Sequence, residues 1–269
     1  MTERSGWVPD GVDVELPSSA RIYDFLLGGG HNFAVDRQVG EKFMAALPGA
    51  RDVARLNRAF LRRAVLFLVS SGVRQFLDLG SGVPTVGNVH EIAQSADEQA
   101  RVVYVDWDAV AVAHSRLLLE GNERAAVIQA DMCEPDAVLL AAETRRPLDF
   151  DAPIGLLMVG VFHFVPDERR PRDIVAEYRD QLASGSYLAL SQFSADTRPE
   201  EMAATVEVMK RSADPLYPRS QEEITVLFAG FDLIEPGVVS TPLWRPEDPA
   251  GLGSDVEHSE IFAGVGRKP

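Results

Sequence analysis

Phe76-Leu77-Asp78-Leu79-Gly80-Ser81-Gly82-Val83-Pro84-Thr85 joins a short, continuously apolar run to a Gly-x-Gly turn and then to a helix signal, with Thr85 able to cap a helix from Val86. Glycine lets the backbone turn sharply and approach a ligand, and a helix start offers unpaired N–H groups and positive potential. Such a turn can also be no more than a tight connection. A dinucleotide loop places a third glycine where this chain has Thr85, which disfavours a nicotinamide or flavin enzyme.

Working outward, the apolar runs 75–79, 101–105, 126–129, 154–161 and 187–190 alternate with helix candidates at 86–95, 108–120, 136–144 and 172–182. Alternation of this kind predicts a parallel sheet with helices on both faces, and runs without period-two polarity fit strands buried on both sides. After the fifth strand come a helix candidate at 199–212 and a Ser220/Glu223 capping-box signal for another. Two late strands follow, 231–234 extending toward Val239 and 261–265, joined through a Pro- and Gly-rich stretch at 241–257. An antiparallel pair at the end of a parallel sheet is common. Upstream, residues 1–71 read as a helical cap and 72–269 as the main domain. Ser18 and Ser19 can cap a first helix that the Gly28-Gly29-Gly30 run ends. His31, Asn32 and Asp36 follow, and residues 18–37 are expected to form a lid over the site. Arg55, Arg58, Arg62 and Arg63 share the polar face of the third helix. Solvated surface is the ordinary reading for such a row, and phosphate or carboxylate recognition the other.

Composition narrows the function classes. The chain has 269 residues, 46% hydrophobic and 25% charged, enough to build a large core without staples. Cys133 is the only cysteine, so an internal disulfide and a Cys-rich metal site are excluded. A net charge of −15 repels phosphate backbones, so no nucleic-acid partner is expected. Residues 1–10 lack an apolar signal-peptide core, and the longest apolar run, 154–165, is 12 residues and too short to span a bilayer; a cytoplasmic protein without a membrane partner is expected. His31, His90, His114, His163 and His258 are scattered, so no metal is expected, and neither a G-x-S-x-G elbow nor a phosphate-binding G-x-x-x-x-G-K-S/T loop is present.

Two strand-end acids point toward a nucleoside. Asp106 ends the second strand 26 residues after Gly80, where a carboxylate can hold a ribose diol. Asp131 follows the third strand, 25 residues on, where it can accept from an adenine amino group between walls offered by Trp107 and Met132. One such acid is more often a helix cap; two in register after a glycine loop favour a pocket at the carboxyl ends of the strands. His163, in the loop after the fourth strand, is the candidate general base, although a histidine there is more often a packing residue.

Asp78-Leu79-Gly80-Ser81-Gly82, Asp106 and Asp131 resemble the class I, Rossmann-like methyltransferases that use S-adenosylmethionine. Ala20-Arg21-Ile22-Tyr23-Asp24-Phe25-Leu26-Leu27-Gly28-Gly29, Asn57-Arg58-Ala59-Phe60 and His163-Phe164-Val165-Pro166-Asp167 resemble a narrower bacterial family of candidate methyltransferases, many without an assigned substrate. The resemblance covers nearly the whole chain. It implies a mostly parallel seven-stranded α/β sheet with an antiparallel late strand, flanked by helices and preceded by a helical segment. It also implies that Asp78, Gly80, Ser81 and Gly82 face the methionine part of the cofactor, Asp106 the ribose and Asp131 the adenine. Pro84 departs from the glycine or small residue common in that class. The function expected is methyl transfer to a small-molecule acceptor, with a non-catalytic S-adenosylmethionine-binding protein as the alternative. The loop after the fourth strand lacks an Asn/Asp-Pro-Pro-aromatic run, which disfavours methylation of exocyclic amino groups on bases.

Overall fold

The structure is a computed structural model and describes residues 9, 12–85, 87–248 and 259–269. Three helices come first: α1 (Ser19–Leu26), α2 (Ala34–Ala46) and α3 (Ala50–Ser70). Then follow β1 (Gln75–Leu79), α4 (Val89–Ala96), β2 (Arg101–Asp106), α5 (Ala109–Leu118), β3 (Ala125–Gln129), α6 (Pro135–Leu139), α7 (Ala142–Arg145), β4 (Gly155–Val159), α8 (Pro171–Gln181) and β5 (Tyr187–Phe193). The chain continues through α9 (Pro199–Met209), α10 (Gln221–Val226), β6 (Asp232–Leu233), β7 (Val239–Ser240) and β8 (Ile261–Arg267). Among the described residues no helix is long and apolar enough to cross a membrane.

The strands form one sheet in the order β3-β2-β1-β4-β5-β8-β6, with β7 also on β8. Strands β1 to β5 are parallel, and β8 runs antiparallel to β5. The winding reverses between β1 and β4, which opens a crevice at their carboxyl ends, where ligands bind in open α/β sheets. All five residues of β1 are buried, as a strand covered on both faces requires. Leu77, Val103 and Leu156 pack on one face with α8 and α10, and Phe76, Val102 and Leu157 on the other with α3 and α4.

The sheet has eight strands where the sequence suggests seven. The expected run from Phe231 toward Val239 is interrupted: β6 pairs with β8 at Arg267 and Gly266, and β7 pairs with it at Ala263 and Phe262. Pro236 lies between them and has no N–H to give to a ladder, and Gly237 turns back to Ile234 O at 2.9 Å. Helix α4 starts at Val89, three residues later than expected. The Glu91 carboxylate accepts from the N–H groups of Gly87 and Asn88, and Thr85 N–H donates to Asn88 Oδ1 rather than Thr85 capping the helix. Val86 lies outside the described residues, as do residues 1–8, 10–11 and most of the Pro- and Gly-rich stretch, 249–258, with His258. The 136–144 candidate is two short helices, α6 and α7. The Ser220/Glu223 capping box forms as expected.

The expected domain boundary falls after α3, but α3 buries Phe60, Ala64, Val65 and Leu68 against the sheet and belongs to its helical flank. Helices α1 and α2, with the first turns of α3 at Ala50, Val53 and Ala54, form a cap that joins α9 and the ends of β5 and β8 around Ile22, Phe43, Phe193, Met202 and Ile261. Ser18 does not cap α1; its Oγ donates to Asp108 Oδ2 at 2.6 Å. Arg21, 3% exposed, bridges Asp36 at 2.9 Å and Asp108 at 3.1 Å, while Asp108 caps α5 through the N–H groups of Val110 and Ala111. Removing one member of a buried ionic group leaves the others uncompensated. Arg21→Met is therefore expected to destabilise the fold by about 3 kcal/mol, the low end for such a loss because both acids keep other donors. Urea unfolding of the variant checks this.

Candidate functional site

A cavity of about 410 Å³ opens at the carboxyl ends of β1 to β4 and lies within the range of small-ligand sites. Asp78, Gly80, Ser81, Gly82, Asp106, Trp107, Asp131, Met132 and His163 all line it. Its roof comes from α1, the start of α3 and residues 213–217.

The glycine loop has separate physical reasons at its two glycines. Gly80, at φ 69°, meets Val161 so closely that any Cβ would collide, so the loops after β1 and β4 touch only because that position is bare. Gly82, also at φ 69°, has no atom within 4 Å of where a Cβ would stand and faces open space. Ser81 Oγ is buried and has no hydrogen-bond partner among the described residues.

Acidic groups dominate the polar lining. Burial pushes the Asp78 carboxyl up to about 7, opposed by the positive charge of Arg58 and reinforced by Asp106. Asp106 is also raised by burial to about 7, while the N–H groups of Asp108 (2.8 Å) and Gly82 (2.7 Å) pull the other way. One backbone donor sits on each Asp106 oxygen, and each oxygen retains a second lone pair for a ligand. Asp131 Oδ1 accepts from Cys133 N–H, and Oδ2 accepts from Arg169 at 2.9 Å. Trp107 is 53% exposed, an open indole face at the β2 end of the cavity.

His163 is 3% exposed, and its Nδ1 accepts the N–H of Phe193 at 3.2 Å. Burial, then the nearby charge of Arg219, lowers its pKa to about 3. A neutral ring with an accepting Nδ1 carries its proton on Nε2, so it can donate a hydrogen bond and has no lone pair for a base. This geometry does not suit the general-base role expected from sequence.

The lid expectation also changes. Gly28-Gly29-Gly30, His31, Asn32 and Asp36 do not line the cavity. Gly28 ends α1 at φ 86°, and Gly29 leaves room for the Asp24 carboxylate, which accepts from His31 N–H and Asn32 Nδ2. Of the expected lid, residues 18–37, only the first part covers the cavity: α1, through Ser19, Ala20, Ile22, Tyr23 and Leu26. Sequence reading also missed Tyr23, Asn57, Arg58 and Asp214 as lining residues. Arg58 was in view as one of four arginines on a helix face and within a family motif without a role, and nothing in the periodicity says which of the four meets the sheet's crevice.

A sheet of this order, with its glycine loop and strand-end acids on one cavity, is that of the Rossmann-like methyltransferases that use S-adenosylmethionine. Residues 5–269 match the sequence model of the family described as S-adenosyl methyltransferase, and the chain belongs to that family. It is similar to a candidate methyltransferase from Thermobifida fusca YX: 40% identity, TM-score 0.92, covering 98% of this chain and 99% of that one. It is also similar to a DUF574-family protein from Streptomyces avermitilis: 37% identity, TM-score 0.91, covering 96% and 99%. At the level of fold alone it resembles the N-methyltransferase NodS from Bradyrhizobium japonicum, solved with S-adenosylhomocysteine: 12% identity, TM-score 0.51, covering 87% and 97%. No curated protein matches.

The residues present fit S-adenosylmethionine as cofactor. The volume suffices, the space over Gly82 is open, Ser81 offers a hydroxyl, and the Trp107 indole offers a stacking face. Among the described residues no cluster of His, Cys, Asp or Glu could hold a metal.

The two raised carboxyls make stability depend on pH. A native Asp78 keeps its proton to about pH 7, whereas the unfolded chain releases it near 3.8, so the native state binds more protons between these values. Stability from this group is therefore full at low pH, falls as pH rises from about 4 to 7, and levels above. Asp78→Asn should gain on the wild type across that window by a few kcal/mol, on the order of 1.4 per pH unit. Urea unfolding at a series of pH values measures the difference.

Proposed function

We propose that the protein transfers a methyl group from S-adenosylmethionine to a small, predominantly apolar acceptor held inside the cavity. The observation that carries this reading is the apolar part of the cavity lining, which includes Ile22, Leu26, Phe43, Phe193, Met209 and Leu216. These side chains come from α1, α2, β5, α9 and the segment after it, so the acceptor space is walled by the cap. A concave, largely apolar cavity suits a small molecule, and a net charge of −15 opposes a polyanion.

S-adenosylmethionine supplies a methyl on a sulfonium whose departure leaves a neutral thioether. The chain's task is to orient and to keep water out. In this reading Asp106 accepts from the ribose hydroxyls, and Trp107 with Met132 flanks the adenine. Asp131, steadied by Arg169, accepts from the adenine amino group. Asp78 and the Gly80-Ser81-Gly82 turn hold the methionine end. His163 donates through Nε2 and positions the acceptor rather than deprotonating it. A nucleophile that is already neutral and basic, or already ionised, suits such a site.

Asp106→Ala should weaken S-adenosylhomocysteine binding by about 1.5–3 kcal/mol, roughly 10- to 150-fold, in calorimetry on the folded variant. Unchanged affinity would remove the ribose assignment. Transfer of labelled methyl to panels of small apolar amines, phenols and thiols, against RNA and peptides, tests the acceptor class. Label should appear in the small molecules. Label confined to RNA or peptide would overturn the proposal, and tight binding with no transfer to any panel would favour the non-catalytic alternative.

A further inference from the structure

We infer that Arg58 binds the α-carboxylate of the methionine end of S-adenosylmethionine, acting opposite Asp78 as one half of a site for a zwitterion. The inference rests on the cofactor assignment and adds a residue to it. Five arginines punctuate α3, and the structure sends them to different tasks. Arg51 lies over the Phe25 ring, Arg55 pairs with Asp52 on the surface, Arg62 with Glu247, and Arg63 donates to the carbonyls of Thr241 and Trp244. Arg58 alone of the five lines the cavity. Its Nη2 donates to Gly87 O at 2.6 Å, which tethers the guanidinium beside the glycine loop.

The cavity's charges are divided by position. Arg169 is the other guanidinium of the lining, and it is bound to Asp131 and Glu134 at the β3 end. Arg58 stands at the β1 end, near enough to Asp78 for its charge to oppose the rise that burial imposes on that carboxyl. A free amino-acid group carries an ammonium and a carboxylate on one carbon. Asp78 and Arg58 present the complementary pair, and five donors in a planar fork let a guanidinium hold Gly87 O and a carboxylate together.

S-adenosylhomocysteine and 5′-methylthioadenosine separate this role from a general one, because the second keeps adenosine and sulfur but lacks the amino-acid end. In calorimetry, Arg58→Ala and Arg58→Gln should weaken S-adenosylhomocysteine roughly 10- to 100-fold and change 5′-methylthioadenosine by less than about twofold, with Arg58→Lys between. Equal losses for both ligands, or no loss for either, would overturn the proposal. Should the variants fail to fold, the wild type decides. S-adenosylhomocysteine lacking its carboxylate should bind at least about tenfold more weakly than the intact compound, and equal binding would sink the inference. Wild-type protein that binds neither nucleoside would remove the cofactor assignment and this inference with it. Binding of 5′-methylthioadenosine alone would overturn only the zwitterion site.

Discussion

The contact between Gly80 and Val161 constrains the whole site. The winding of the sheet reverses between β1 and β4, and the loops leaving those two strands must pass each other at the point of reversal. They touch there with no room for a side chain on Gly80. That closeness shuts the crevice at its base, so the open volume lies farther out, above Gly82 and between the cap and the strand ends. A larger gap at the base would admit water behind the reacting atoms. A side chain at position 80 would push the β4 loop outward and take His163 with it.

The second requirement is a roof, and a polar network inside the protein anchors it. Asp108 caps α5 and at the same time receives Arg21 and Ser18 from the cap, so one carboxylate ties α1 to the start of the helix after β2. Its near neighbour Asp106 points into the cavity, and its Oδ1 takes the N–H of Asp108. The site's carboxylate and the cap's anchor are thereby linked by one backbone bond. Displacement of α1 would reach Asp106 through this link as well as unroofing the cavity.

The parallel strands were legible because β1, β2, β4 and β5 are each built on a short, mostly apolar run, and their observed bounds differ from the expected ones by only a few residues. The strand-end residues Asp106 and Asp131 could be placed at the cavity for the same reason: the carboxyl end of a parallel strand has a fixed direction in the fold. The elements that were misread depend on partners distant in sequence. Gly28-Gly29-Gly30 fell within the expected lid, but Gly29 serves Asp24, whose carboxylate occupies the room a Cβ there would fill. Arg58 looked like its three neighbours on α3, since helical period assigns a face and not what that face meets. His163 was nominated as a base because its loop position is visible in sequence, whereas the Phe193 N–H that occupies its Nδ1 belongs to another strand.

The place of β8 in the sheet has a consequence for how the protein is made. Ile261–Arg267 lies between β5 on one side and β6 and β7 on the other, so the two short strands have no hydrogen-bonded place in the sheet until it arrives. Its partner β5 ends at Phe193, and the register joins Phe193 to Ile261 across a long stretch of intervening chain. During synthesis β1 to β5 can associate as each leaves the ribosome, but the β5 edge stays an open ladder until residue 267 has emerged. Nascent chains stalled before that point would expose an apolar strand edge, which makes them natural clients for chaperones that shield unpaired strands.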